Sequence, residues 1–463
     1  MAELHKPALL LALLAALLAI SCSDATAPVR MQLTRADAGR SLTRRELLQR
    51  MALHSKARAA RFYRSGSSAS AQVVPGKGEY RVKLAVGTPP QPVELELNTG
   101  SDLIWTQCQP CPSCFQQELP YFHPSRSSTF SPLRCGSPAC QGLQFSSCGT
   151  QNSLWGNQSC VYTYSYGDKS VTTGFLGVDK FTFAGAAAHA TGHGVSRVTF
   201  GCGIFNTGIF RSDATGTGLA GFGRGPLSLP SQLKVDNFSY CFTSLTGSKP
   251  SPVLLGLPAN LYRSSAHGHS AVVKTTPFIH NHANPTYYYL SLKGITVGST
   301  RLPVPESTFA LTKNGTGGAL IDSGTSITTL PTHIYRLLRD TFVSQLKLRT
   351  TDGGELLCFV VPKGAKPRVP KLMFHFEGAT LDLPRENYVL DYEEKGRRAI
   401  CIVIGDGGEL IQNMTVIGNY QQQNMHILYD LDGNKLSFVP AHCDRVNLSC
   451  IVKRPVHGVF RNK

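Results

Sequence analysis

Acidic residues are scarce in this chain: 29 Asp and Glu stand against 46 Lys and Arg in 463 residues, a formal net charge of +17. Long apolar runs are scarcer still. After the first twenty residues no segment is apolar enough to span a bilayer as a helix, and sustained 3.6-residue periodicity is absent, which excludes a helical bundle. A shortage of acid suits a nucleic-acid partner, but a basic stripe interleaved with aromatics is also missing. The positive charge sits at the ends: residues 27–77 hold eleven Lys and Arg against two acids, residues 451–463 carry +4, and residues 78–450 are left with only +5. No nucleic-acid partner is expected.

The chain is longer than one typical core, so two lobes are expected. With 44 Gly, 28 Pro and 41% hydrophobic residues it reads as globular, rich in turns and mostly β. The one apolar run, Ala8 to Ile20, follows Lys6 and precedes small residues. It is shorter than a membrane span and reads as a signal peptide over residues 1–26, cleaved near residues 22–27, with no stable membrane anchor. Of fourteen cysteines thirteen remain once Cys22 is removed, and seven fall between Cys108 and Cys160. The spacing of Cys108, Cys111 and Cys114 suits a metal in a reducing compartment, but a secretory leader makes disulfides the expected use, with no metal and no cofactor. Sequons at Asn157, Asn237, Asn314, Asn413 and Asn447 permit glycosylation on the same route.

Residues 27–77 have a logic of their own. Thr43 followed by Glu46 is a capping box, and "LTRRELLQRMALHSKARAARFY" continues as a helix with a basic face before "RSGSSASAQVVPGKG" dissolves into a linker. Lying between a leader and a β-rich body, the segment reads as a removable propeptide whose positive charge suits an acidic cleft. The body then divides into lobes at 78–270 and 271–450, followed by a basic tail at 451–463.

Two stretches of the body share a theme. "VELELNTGSDLIW" runs an alternating strand into Asn98, Thr99, Gly100 and Ser101; "GGALIDSGTSITTLP" runs an apolar strand into Asp322, Ser323, Gly324 and Thr325. Half a chain apart, they suggest an internal duplication that brings two turns face to face. Gly221 and Gly418 each follow apolar residues further along their halves, where a strand passing close beside each turn requires glycine. Gly216, Gly218 and Gly221 also spell a dinucleotide fingerprint, which is rejected because no long helix opens after it and no βαβ pattern surrounds it.

Together these motifs, with the crowded cysteines, "TFGCG", "GFGRGPLSLPSQL" and "FSYC", make the chain from about 78 to 443 resemble the nepenthesin-like branch of the pepsin-fold aspartic peptidases. No saposin-like insert is present. The resemblance implies a mostly β, bilobal fold with two pseudo-symmetric lobes and a central cleft, and a polypeptide as substrate or bound partner. It implies that Thr99 and Ser323 bond across the lobes, and that Ser101 and Thr325 each bond an outer carboxylate oxygen in an active enzyme. Tyr166 matches the flap tyrosine and Trp105 the tryptophan supporting it; Cys358 pairs with Cys401. The family pattern ends at Cys443, leaving Cys450 as the odd cysteine. His267, His269, His280 and His282 match no catalytic motif and read as loop histidines.

One residue departs from the pattern. Asn98 stands where the family has its first catalytic Asp, and Asp322 holds the position of the second. In the family, two carboxylates share a proton; one takes a proton from water while the other polarises the scissile carbonyl. An amide donates and accepts hydrogen bonds but cannot act as the base. Asp322 is thus left with no charged neighbour and no partner to share a proton with. Deamidation is not expected to restore the acid, since β-branched Thr99 follows Asn98 in a rigid turn. Two readings stand: an aspartic endopeptidase homologue impaired by Asn98, or a non-catalytic peptide- or protein-binding or inhibitor protein. The expected product is a secreted, apoplastic monomeric glycoprotein made as a zymogen, with the vacuole as the alternative location.

Overall fold

The strand Gln91–Asn98 shows how pattern becomes structure: Val93, Leu95 and Leu97 turn into the core while Glu94 and Glu96 stay half-buried on the other face. The computed structural model describes residues 29–35, 43–62, 79–150, 156–167, 169–183, 195–208, 216–244, 250–256, 272–394, 396–408 and 414–444. Over these the architecture is mostly β and bilobal, as the sequence indicates.

In the first lobe, β2 (Tyr80–Val86) pairs antiparallel with β3 (Gln91–Asn98), and β3 runs parallel to β4 (Gly218–Gly221) with Asn98 opposite Gly221. In the second, β8 (Ala319–Ile321) runs parallel to β12 (Thr415–Ile417), with Ile321 opposite Ile417. The residue after β12, Gly418, abuts the backbone beyond the turn: a Cβ there would lie 2.5 Å from the Ile327 carbonyl carbon. A Cβ on Gly221 would collide with the Asp102 carbonyl. Glycine is therefore required at both places by backbone crowding, and Gly218–Gly221 is a strand rather than a phosphate loop.

A single sheet joins the lobes. Starting from β2, which also pairs with β3, its strands run β2, β1 (Val29–Arg35), β6 (Ser251–Leu255), β5 (Asn237–Cys241), β13 (Met425–Asp430), β14 (Lys435–Pro440) and β7 (Lys274–Ile279). Strand β1 belongs to the basic N-terminal segment, and its place inside the sheet is not foreseen by the sequence reading. Its alternate residues Val29, Met31 and Leu33 are buried in the main core.

The helix α1 (Arg44–Phe62) follows. Its capping box forms as the sequence indicates, with Thr43 N donating to Glu46 Oε2 at 2.9 Å and Glu46 N donating to Thr43 Oγ1 at 3.2 Å. Leu47, Leu48, Met51 and Ala52 pack against Ile327, Leu356, Leu390 and Tyr420 of the second lobe. Next to them the Cys358–Cys401 disulfide ties β9 (Leu357–Val361) to β11 (Arg397–Ile402), with β10 (Val389–Glu394) paired alongside.

Six disulfides form among the described residues: Cys108–Cys202, Cys111–Cys114, Cys135–Cys148, Cys140–Cys160, Cys241–Cys443 and Cys358–Cys401. Cys108, Cys111 and Cys114 are thus all in disulfides, and no group of three metal-ligating side chains occurs among the described residues. No helix among them is long and apolar enough to cross a membrane. Asn157 and Asn314 are exposed and Asn237 is half-buried. The segment expected as a signal peptide, Asn413, Asn447, Cys450, His267, His269 and the basic tail lie outside the described residues. His280 and His282 are exposed on the loop after β7, their rings 4.3 Å apart.

Candidate active site

Each parallel strand pair delivers one turn to the middle of the molecule, and the two turns interlock. Thr99 N donates to Ser323 Oγ at 3.0 Å, and Ser323 N donates to Thr99 Oγ1 at 2.8 Å. Both residues are buried, so each backbone donor is satisfied only by the other lobe's hydroxyl. Asn419 adds a bond from its amide to Ser323 O at 2.9 Å.

The interlock sets Asn98 and Asp322 side by side, both fully buried. Asn98 Oδ1 accepts from Gly100 N at 2.9 Å, and Asp322 Oδ1 accepts from Gly324 N at 3.0 Å. The pseudo-symmetry then breaks. Thr325 Oγ1 donates to Asp322 Oδ2 at 2.6 Å, whereas the equivalent hydroxyl, Ser101 Oγ, has no hydrogen-bond partner among the described residues, and neither has Asn98 Nδ2. At position 322 a carboxylate oxygen accepts from the hydroxyl three residues on; at position 98 the amide nitrogen and the corresponding hydroxyl form no such bond.

The sequence expectation that Asp322 lacks a charged neighbour is corrected by the structure. Helix α1 carries Arg58 into the centre of the cleft, where its Nε donates to Asp322 Oδ2 at 2.8 Å and a terminal nitrogen donates to Asn98 Oδ1 at 2.7 Å. Both members of the ion pair are buried, with side-chain exposures of 5% and 0%. Two donors thus converge on Asn98 Oδ1, which settles the orientation of the amide. Among eleven basic residues of the segment no local signal marks Arg58; only the tertiary path of α1 does.

The rest of the helix is fixed to the second lobe. Ser55 Oγ accepts from Ile327 N at 2.7 Å, Lys56 pairs with Glu355 at 2.9 Å, and Arg45 pairs with Glu394 at 2.7 Å. Across the cleft, Trp105 Nε1 donates to Tyr166 Oη at 2.7 Å, bringing together the two residues expected as the flap tyrosine and its support. Gly167 abuts the stem of Arg58; a Cβ there would come within 2.9 Å of Arg58 Cγ.

Beyond Arg58 a cavity of about 790 Å³ remains open, lined among others by Ser101, Asp102, Phe145, Tyr164, Tyr166 and Tyr287. The helix therefore fills only part of the cleft. Asp102, missed by the sequence reading, accepts from Thr286 Oγ1 at 2.7 Å and Gly225 N at 2.8 Å. Burial raises its pKa despite those two bonds.

This geometry agrees with the comparisons. Residues 80–257 match the family described as Xylanase inhibitor N-terminal, and residues 287–440 match Xylanase inhibitor C-terminal. The chain is 41% identical over 422 residues to aspartic proteinase nepenthesin-1 of Nepenthes gracilis, covering 89% of this chain and 90% of that protein. It is 40% identical to nepenthesin-2 of the same plant, covering 90% of each. Among solved structures, that of edgp superposes with a TM-score of 0.66 at 18% identity, covering 90% of this chain and 95% of that one, a likeness of fold alone. The chain belongs to the nepenthesin-like family of plant aspartic proteinases.

Proposed function

We propose that this protein is a secreted member of the family made as a zymogen, whose cleft holds polypeptide segments and whose hydrolytic power is severely reduced by Asn98. The observation that carries the reading is the unsymmetrical dyad: Asp322 keeps its supporting hydroxyl and its carboxylate, while position 98 holds an amide and Ser101 beside it has no partner among the described residues. Catalysis in the family needs one group to take the proton from water and another to polarise the carbonyl. Asp322 can fill one of these roles, and Asn98 can only hold the water or the carbonyl by hydrogen bonds. The prosegment reading is supported by α1, which lies across the dyad, and by β1, which lies within the sheet. Secretion to the apoplast is supported by the leader sequence, the disulfides and the sequons; the vacuole is the alternative. The protein acts as a monomer.

A second reading, a wholly non-catalytic binding or inhibitor protein, draws support from the same unsymmetrical dyad and from the family description as xylanase inhibitor. One experiment separates them. Asn98→Asp should restore acid-pH, pepstatin-sensitive cleavage of a denatured protein if only the acid is missing. If the restored dyad still cuts nothing, the cleft has been repurposed as a whole.

A further inference from the structure

The Asn98–Asp322 pair differs from a pair of carboxylates in a way that bears on what the cleft can hold. A proton shared between two acids makes part of their inner face a donor over some range of pH. Asn98 Oδ1 never carries a proton, and Gly100 N keeps it turned inward at 2.9 Å. The pair therefore presents Arg58 with one acceptor from each lobe, Asn98 Oδ1 and Asp322 Oδ2.

A guanidinium matches such a face better than an ammonium does. Its planar fork places two donors in a fixed relation, whereas a lysine presents one compact nitrogen. Arg58 uses the fork in this way, with Nε on Asp322 at 2.8 Å and a terminal nitrogen on Asn98 at 2.7 Å. The walls are glycine: a Cβ on Gly324 would lie 2.5 Å, and one on Gly100 2.9 Å, from that terminal nitrogen. The open cavity reaches Arg58 and Gly100 from the side that the helix leaves uncovered.

We propose that the Asn98–Asp322 pair is a guanidinium receptor, and that the ligand of the cleft once Arg58 withdraws is an arginine-bearing polypeptide segment, held by its side chain across the two lobes. The proposal rests on the reading that the cleft holds polypeptides without cutting them efficiently, and adds what it selects.

The test uses the full-length chain carrying Arg58→Ala, which removes the resident guanidinium from Asn98 and Asp322. Methylguanidinium and N-acetylarginine methylamide should bind this variant and raise its Tm, each about tenfold tighter than methylammonium or the lysine counterpart, since the fork meets the two acceptors with two coplanar donors in fixed geometry while an ammonium must reach both from one nitrogen. Adding Asp322→Asn or Asn98→Leu should weaken both guanidinium ligands. Equal affinity for the two head groups, or no binding to a folded variant, overturns the proposal. If Arg58→Ala does not fold, Arg58→Lys decides: limited proteolysis at neutral pH should cut its prosegment helix at least about tenfold faster than in the unmodified chain, and an unchanged rate overturns the proposal. None of these readouts measures hydrolysis, so their failure leaves the reading of an impaired dyad standing, and failure of the cleavage assay leaves the receptor standing.

Discussion

Replacing Arg58 by alanine in the full-length chain should loosen helix α1 far more than a surface mutation would. The substitution leaves Asp322, fully buried, without its ionic partner, and removing one member of a buried pair costs about 3–5 kcal/mol. The cost does not fall on the whole protein. Helix α1 can lift away and let water reach Asp322, so the loss appears in the local opening of residues 44–62. Converted at 1.4 kcal/mol per decade, about 3–5 kcal/mol is a rise of roughly 10²–10⁴-fold in the opening equilibrium. Amide hydrogen exchange over Leu47–Phe62 at neutral pH reads it directly. Adding Asp322→Asn removes the stranded charge and should restore most of the protection. A change below about 1 kcal/mol, the size expected of an exposed pair, or a double variant no better than the single one, would refute the claim that this contact is buried and ionic.

Other expectations follow from the fold. His426 is buried, its pKa lowered to about 4 by burial. Because the unfolded chain takes up a proton near pH 6.5 and the folded one only near 4, stability should fall as pH drops through that window, by about 3 kcal/mol in all; urea unfolding of His426→Gln should show that slope reduced. Leu33→Ala should cost about 2–5 kcal/mol in chemical unfolding of the full-length chain, and an effect near zero would mean that β1 is not part of the sheet. Gly418→Ala, which drives a methyl into the backbone at Ile327, should cost about 1–3 kcal/mol or more. Thiol labelling of the unreduced protein followed by mass spectrometry should leave Cys358 and Cys401 unlabelled and find Cys450 free or capped.

What the sequence revealed was local or repeated. The two strand-turn units, the capping box at Thr43 and Glu46, and the crowded cysteines each announce themselves within a short window, and their order along the chain carries the family. Asn98 was visible because its neighbours define what should stand there. The consequence for Ser101 was not, since an unsatisfied hydroxyl exists only once the turn is built. Strand β1 has a period-two pattern in Val29, Met31 and Leu33, but seven residues flanked by an apolar N-terminal run and a basic segment give no hint of partners at Val82 and Val253. Arg58 was hidden for a related reason: its contacts lie 40 and 264 residues away in sequence, and only the path of the helix distinguishes it from the other basic side chains around it.

The central claim, that one missing acid separates this protein from an active peptidase, is tested most directly by hydrolysis of a denatured protein at acid pH, comparing the unmodified chain, Asn98→Asp, and Asn98→Asp combined with Asp322→Asn. General acid–base catalysis contributes on the order of 10²–10⁴-fold for each group, so Asn98→Asp should exceed the unmodified chain by at least about 10²-fold, be blocked by pepstatin, and lose its gain when Asp322 is also replaced. Turnover by the unmodified protein within about tenfold of Asn98→Asp, well inside that range, with mass spectrometry showing the Asn98 amide intact, would contradict it.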